Sequence, residues 1–337
     1  MFITLTGTIA QSGHEGGWPV RHGKIKLIFY TKGIFAVNIV KEMKAHGLYI
    51  RFELGLENLM GEAYRCEGLR RASAICRSIF DPEDDVIFMH RTSYGTNEKR
   101  VSKIRLKRFF KKRLKQTRSC TLPYEFDESD DELYTKEWTI EVKAKEIRMP
   151  YVLESIENAD FMRKPTSGGR IYLYNKTKGI LFHMYDDRGC DVFSSDKGTL
   201  LPLYHLHRKW ILDFNRYEID SLFGEGLAGI IETDEERKTR WEFNDKKVTD
   251  SGINLRRVNT CHISHHFEIP SVNADKFAIE IALTSFAIRR ISITDDRVTF
   301  LATKTQALAL IDYQTHLMSM YGKKYGTYAG WSYEKTV

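Results

Sequence analysis

Three aspartates lie close together in the string Tyr185-Asp-Asp-Arg-Gly-Cys-Asp-Val192. A hard cation such as Mg²⁺ prefers carboxylate oxygens, so Asp186, Asp187 and Asp191 could form the metal site of a hydrolase. On an alternating strand, however, Asp186 and Asp187 point to opposite faces, and both cannot bind one ion without a bulge. Because Arg188 and the next glycine indicate a turn, the sequence favours a structural role in which the aspartates cap the turn and Arg188 neutralises a neighbouring carboxylate.

Zinc-type ligands are concentrated at Cys261, His262, His265 and His266. Imidazole and thiolate are the groups that zinc prefers, but the spacing lacks the second half of a closed four-ligand site. We therefore predict a half-exposed strand edge here and no metal site.

Motifs for nucleophilic catalysis and phosphate binding are absent from the sequence. It contains neither a G-x-S-x-G elbow nor a Cys-Gly-x-Cys string, and no Gly-rich loop matches a phosphate-binding pattern. The sequence thus indicates no catalytic residue and no cofactor, and it favours a protein that is not an enzyme.

A basic run extends from Lys99 to Arg118, with eleven Lys or Arg and no acid, and six acids follow between Glu125 and Glu132. The apolar spacing from Leu106 to Leu114 is compatible with a basic amphipathic helix. The run could pair with the acidic block, or it could bind nucleic acid, with Phe109 and Phe110 stacking on bases. The nucleic-acid alternative uses Lys103, Arg105, Lys107, Arg108, Phe109, Lys111, Lys112 and Arg113.

Composition bounds the class of protein. A chain of 337 residues with 42% hydrophobic content is long enough for two or three domains with cores of their own. The net charge of +7 favours anionic partners. Five scattered cysteines without a C-x-x-C pair, no cationic leader and no apolar run long enough to span a bilayer predict a cytoplasmic protein without membrane contact.

Periodicity gives the order of elements. Short strands are predicted before His46, around Ile3, Leu5, Ile25, Leu27 and Phe29. A strand at Arg51, a helix ending at Phe80, a buried strand at 86–90 and a strand at 138–142 follow. An antiparallel meander is predicted at 171–194, helices at 200–211 and 215–223, and a hairpin near Asn244-Asp-Lys-Lys247. The remainder has a β-α-β-β-α order typical of a ferredoxin-like arrangement.

Several separated strings resemble one bacterial family, catalogued as domain of unknown function 3885. They include Arg51-Phe-Glu, Phe80-Asp-Pro-Glu-Asp-Asp85, Ile147-Arg-Met-Pro-Tyr-Val152, the aspartate string above, and a second string from Trp210 to Phe223. The resemblance covers about residues 51–223. It implies a compact α+β unit and transfers no catalytic residue.

The C-terminal unit resembles small bacterial proteins typified by the B-type inhibitor of ribonuclease E. Its ending reads Tyr325-Gly-Thr-Tyr-Ala-Gly-Trp331, where Ala329 replaces the acid of the family pattern. The resemblance implies a domain that binds other proteins and performs no chemistry. Tyr325, Tyr328 and Trp331 are the partner-binding candidates, since aromatic side chains with polar tips dominate protein contacts. Alternatively, Trp331 covers the sheet edge of its own domain.

These observations predict a multi-domain α+β protein with antiparallel sheets, flanking helices and a C-terminal ferredoxin-like domain. The predicted divisions are a β-rich segment at 1–46, an α+β domain at 47–224, a polar connecting region at 225–261 and an inhibitor-type domain at 262–337. The favoured function is a non-enzymatic immunity, antitoxin or nuclease-inhibitor factor that blocks a partner protein such as a nuclease or toxin. The alternatives are nucleic-acid binding and an uncharacterised hydrolase.

Overall fold

A computed structural model describes residues 35–56, 59–95, 106–114, 116–124, 132–224, 226–252 and 260–335. Within these ranges the chain forms two antiparallel sheets with helices packed against them, which confirms the predicted α+β class. The strands predicted around Ile3, Leu5, Ile25, Leu27 and Phe29 lie outside the described residues.

The first sheet has seven strands among the described residues, in the order β1-β7-β6-β5-β2-β4-β3, and all neighbours are antiparallel. Alternation along β1 and β7 sends Ile50, Phe52, Cys190 and Val192 into the main core, so their neighbours occupy the opposite face. The strands are β1 Leu48–Glu53, β2 Asp85–Gly95, β3 Arg118–Pro123, β4 Leu133–Lys143, β5 Arg170–Asn175, β6 Ile180–Met184 and β7 Gly189–Ser194.

Among the described residues, helices pack on both faces of this sheet, four on the core face and one on the opposite face. The predicted meander is confirmed as β5, β6 and β7. Gly224, which has a left-handed backbone conformation, ends the helix Asp213–Phe223 as the sequence predicts. The helices are α1 Phe35–His46, α2 Gly61–Ile79, α3 Met149–Asp160, α4 Lys197–His207 and α5 Asp213–Phe223. The β-rich prediction for residues 1–46 is wrong for α1, where Ile39, Val40 and Met43 recur at helical spacing and pack on the opposite face of the sheet.

The described part of the basic run does not form the predicted amphipathic helix. Leu106–Phe109 is one short 3₁₀ turn. Phe109 and Phe110 are buried, and their ring centroids lie 5.5 and 5.0 Å from that of Phe88 in the main core. Burial of two adjacent rings fixes the chain in a tight turn instead of extending it along a helix.

The polar region near residue 244 is helical, so the predicted hairpin at Asn244-Asp-Lys-Lys247 is wrong. Helix α6, Asp234–Asp250, begins with a capping box in which Thr233 Oγ1 accepts from the Glu236 N–H and the Glu236 carboxylate accepts from the Thr233 N–H. The cap satisfies backbone donors at the start of the helix, which continues through residues 244–247.

The second sheet has the order β11-β8-β10-β9 in the part of the chain that is described. With the two helices between its strands, this is a ferredoxin-like topology, and the sequence predicts all of its elements except the last strand, β11. Its elements are β8 Thr260–Pro270, α7 Ala274–Ala282, β9 Ala287–Ile293, β10 Arg297–Ala307, α8 Ile311–Tyr325 and β11 Thr327–Lys335. The core centres on Phe267, Phe277 and Phe300. Since β8 pairs on both sides, the predicted strand edge at His262 to His266 is wrong.

Polar side chains join the two sheets through α5 and the turn before it. The Asp213 carboxylate lies 3.0 Å from Lys304 Nζ on β10 and accepts a hydrogen bond from Ser285. Arg208 Nη2 lies 2.7 Å from Glu280 Oε2 on α7. The string from Trp210 to Phe223 therefore belongs to the joint between the units. The predicted domain boundaries stay a prediction.

Candidate functional site

The face of the first sheet opposite the main core carries a polar row on three adjacent strands. Strand pairing places Arg51 of β1 opposite Asp191 of β7, and Asp191 opposite His183 of β6. The His183 ring then stacks on Tyr172 of β5, with centroids 4.1 Å apart. The register thus brings together residues that are far apart in sequence.

Arg51 and Asp191 form a bidentate ion pair at the end of this row. Arg51 Nε donates to Asp191 Oδ1 at 2.7 Å and Nη2 donates to Oδ2 at 2.9 Å. The hydrogen bond to Asp191 is the main cause that raises the pKa of Arg51 above its ordinary value. The guanidinium carbon lies 5.9 Å from the Tyr49 ring centroid and 5.7 Å from that of Tyr185. Arg51 is therefore held by a carboxylate and flanked by two rings.

The turn between β6 and β7 is built around Asp186. Its Oδ1 accepts from the backbone N–H groups of Arg188 at 2.8 Å and Gly189 at 3.2 Å, and its Oδ2 accepts from Arg188 Nε at 2.8 Å. These contacts match the turn-capping interpretation. Asp191 instead faces Arg51 on the strand. Among the described residues no group of three or more His, Cys, Asp or Glu is arranged to hold a metal ion.

A cavity of about 810 Å³ opens beside the Arg51–Asp191 pair. Four Tyr and Phe rings contribute to its wall, from Tyr49, Tyr64, Tyr185 and Phe193, and Lys44, Glu53, His183 and Arg188 also line it. Two glycines let the tyrosines approach the backbone, because a Cβ at Gly55 would overlap Tyr64 and one at Gly189 would overlap Tyr185. The strings at 51–53 and 185–192 thus meet at one pocket, which sequence reasoning did not predict.

Glu157 of α3 is a second feature that sequence reasoning missed. Its side chain is 0% exposed, and neither carboxylate oxygen has a hydrogen-bond partner among the residues that the structure describes. The nearest cation is Arg65, whose Nη1 lies 3.7 Å from Oε2. Burial raises the pKa of Glu157 to about 7. Gly68 of α2 leaves the space that this carboxylate occupies, since a Cβ there would lie 3.3 Å from Glu157 Oε1.

The three partner-binding candidates lie within the second unit. Tyr325 and Trp331 are buried, and Tyr328 is partly exposed. The Trp331 Nε1–H donates to Asn244 Oδ1 of α6 at 2.9 Å, and the Tyr328 hydroxyl lies 2.9 Å from His265 Nδ1. This placement agrees with the alternative in which Trp331 covers its own domain, and the binding role stays a prediction.

The residues predicted to bind nucleic acid differ in their exposure, and some lie outside the described residues. Lys103 and Arg105 lie outside the described residues, as does the acidic block up to residue 131. Phe109 is buried, and the half-buried Arg108 donates to the Thr166 carbonyl. The remaining candidates are exposed, and they are Lys107, Lys111, Lys112 and Arg113.

The zinc-type ligands do not converge. His265 is fully buried and burial lowers its pKa to about 3. His262 Nδ1 lies 3.2 Å from Thr305 Oγ1 and His266 Nε2 lies 2.9 Å from Ser332 Oγ, both with neighbouring strands. Each imidazole therefore has a partner of its own within the sheet.

Fold and pocket together define a protein of two antiparallel α+β units with an arginine-centred cavity on the first sheet. The chain belongs to the family described as Domain of unknown function (DUF3885), whose model matches residues 45–215. That range contains every pocket residue named above except Lys44.

The chain is also similar to a protein of Bacillus subtilis (strain 168) described as "Uncharacterized protein YnaE". The two are 29% identical over 155 residues, which cover 43% of this chain and 73% of that protein. No solved structure matches the chain. The comparisons give no support to the resemblance of residues 262–337 to the ribonuclease E inhibitor. In the described ranges, no helix has the length and apolar character needed to cross a bilayer.

Proposed function

We propose that the protein is a non-enzymatic, cytoplasmic binding factor of the immunity, antitoxin or nuclease-inhibitor type, which blocks a partner protein. The observation that carries this proposal is β9, the edge strand of the second sheet. Six of its seven residues are exposed, including Ile291 and Ile293. The ferredoxin-like topology leaves this strand at the edge of the sheet.

An exposed edge strand is a template for pairing with another chain. One side of β9 pairs with β10, and no described strand pairs with the other side. Natural edges are usually short, covered or charged, because their unpaired N–H and C=O groups attract other strands. Partner strands use this chemistry when they add to a sheet, with main-chain hydrogen bonds for affinity and side chains for specificity.

Charge favours an acidic partner strand over a second copy of β9. Arg289 and Arg290 are exposed in the middle of the strand, although Arg290 also pairs with Asp275. Antiparallel pairing of two copies would bring these like charges together, which destabilises cross-strand pairs. The net charge of the whole chain, +7, is also positive and likewise favours an acidic partner. The proposed partner surface therefore carries acids beside an accessible strand.

The test is reconstitution with the protein encoded by the neighbouring reading frame. We expect a stoichiometric complex that blocks the partner's activity. The substitutions Ile291→Asp and Arg289→Glu should weaken this complex, and the control substitution Ile279→Asp on α7 should leave it intact. Ile279 is a suitable control because it is also exposed, at 61%, but belongs to a helix. Recovery of nucleic acid in place of a protein complex would contradict the proposal, as would equal loss in all three variants.

Nucleic-acid binding is the second candidate, and a basic groove favours it. Lys112, Arg113, Arg118 and Lys176 line a cavity of about 560 Å³ beside β4, and Glu141 and Glu146 line it too; Lys176 pairs with Glu141, and Lys112 lies 3.5 Å from Glu146. Binding there would weaken steeply with salt, because each neutralised phosphate releases a counterion. A mobility-shift assay at low salt tests it. Absence of a shift would leave these cations as a solvated face.

A further inference from the structure

The pocket beside Arg51 has the size and the lining of a small-molecule binding site. Its volume of about 810 Å³ falls in the range of small-molecule sites, roughly 300–1,000 Å³. Tyr49, Arg51 and Phe193 lie on β1 and β7 of one sheet, so this part of the wall is positioned by a rigid element, whereas Tyr64 lies on α2 and Tyr185 in the turn between β6 and β7. We propose that this pocket binds a small molecule that carries a carboxylate or phosphate on a planar ring.

The anion preference follows from the way in which Arg51 is held. A guanidinium has two edges that can each present a pair of parallel N–H donors to an oxyanion. Asp191 occupies the edge formed by Nε and Nη2. The other edge, formed by Nη1 and the second N–H of Nη2, has no hydrogen-bond partner among the described residues. It therefore remains available to a second oxyanion in the cavity.

Arg188 repeats this arrangement at the same pocket. Asp186 holds its Nε and Nη2, so Nη1 has no hydrogen-bond partner among the described residues, and the side chain lines the cavity while 77% of it is exposed. The carboxylates orient both guanidiniums before any ligand arrives, which reduces the ordering cost of binding. The charged residues that line the cavity are Lys44, Arg51 and Arg188 against Glu53 and Asp191, which leaves an excess of positive charge.

The aromatic side chains in the cavity wall are the reason for expecting a planar ring in the ligand. Tyr49 and Tyr185 flank the Arg51 guanidinium, and the Tyr64 and Phe193 rings line the same cavity. A planar body attached to the bound anion would contact these faces in offset or edge-on geometry. An anion without a ring would contact Arg51 but not the aromatic side chains of the cavity. A preference for a ligand with a ring would therefore distinguish a specific pocket from simple charge attraction.

The experiment compares phenyl phosphate with inorganic phosphate by calorimetric titration of the full chain. We expect phenyl phosphate to bind more tightly, and Arg51→Lys to weaken both probes about tenfold or more, equivalent to ~1.4 kcal/mol. Tyr185→Leu should weaken phenyl phosphate alone. Arg70→Lys is the matched control, because Arg70 is held through Nε and Nη2 by Glu67 in the same way but lies outside the pocket.

Chemical-shift mapping of the wild-type protein keeps the test valid if a variant fails to fold. Phenyl phosphate should perturb resonances of Tyr49, Tyr185 and Phe193 first. No saturable binding, equal affinity for the two probes, equal effects of Arg51→Lys and Arg70→Lys, or perturbations elsewhere would each overturn the proposal. The β9 proposal does not depend on this result.

Discussion

The buried carboxyl of Glu157 makes stability depend on pH in a defined direction. Burial raises its pKa to about 7 from the ordinary 4.5, and Arg65 at 3.7 Å offsets only part of that effect. In the unfolded chain the carboxyl ionises near its ordinary value. Between these two pKa values the folded protein binds more protons than the unfolded chain, so stability falls as pH rises through the window and is constant above it.

Glu157→Gln keeps the shape of the side chain and removes the charge. The variant should match the wild type below about pH 4.5 and exceed its free energy of unfolding by ~3 kcal/mol at about pH 8, since each pKa unit corresponds to about 1.4 kcal/mol. Urea titrations across this range measure the difference directly.

Glu154→Gln on the same helix is the control, because Glu154 lies one turn earlier and is partly exposed. Its effect should not grow by a comparable amount with pH. The reasoning about Glu157 would be refuted if its variant changed stability equally at both ends of the range, or if the variant were less stable than the wild type at about pH 8.

Three further predictions concern stability and are checked by thermal or urea unfolding. Asp186→Ala removes the acceptor of two turn N–H groups and should cost about 1 kcal/mol; an unchanged midpoint would contradict the capping role. Gly189→Ala should lower the melting temperature because its Cβ overlaps a tyrosine, whereas Gly95→Ala, with open space around it, should not; equal effects would refute the close packing. Asn244→Ala leaves the Trp331 Nε1–H buried without an acceptor and should cost about 2 kcal/mol, and a neutral result would show that the contact is dispensable.

Helical spacing and strand order were predictable where local pattern and packing agree. In α2, apolar residues recur every three or four positions, and the buried residues Ala72, Cys76 and Ile79 follow that spacing. The second unit follows from strands and helices of ordinary length joined by short turns. The helix depends on contacts close in sequence, which periodicity records, whereas the sheet of the second unit pairs distant residues such as Cys261 and Lys335 and was inferred from the order of the elements.

The pocket was not predictable because it depends on register. Arg51 and Asp191 are 140 residues apart, and alternation gives their faces but not their alignment across β1 and β7. Glu157 was missed for a related reason, since only the packing of α3 on α2 at Gly68 removes its water. Near Asn244 turn-prone residues suggested a hairpin, but the Thr233 cap and helical packing prevailed.

The bonds of Asp213 bear on whether the two units can be separated. Its carboxylate is 9% exposed and contacts Arg216 of its own helix as well as Lys304 and Ser285 of the second unit. A truncated protein that ends before residue 260 would lack Lys304 and Ser285, the partners of Asp213 in the second unit, and would leave Arg208 without Glu280. Domain swaps that cut here would therefore break the ion pairs between the units, although Asp213 would keep Arg216 and Arg208 would keep Asp220, so the chain should be engineered as one molecule.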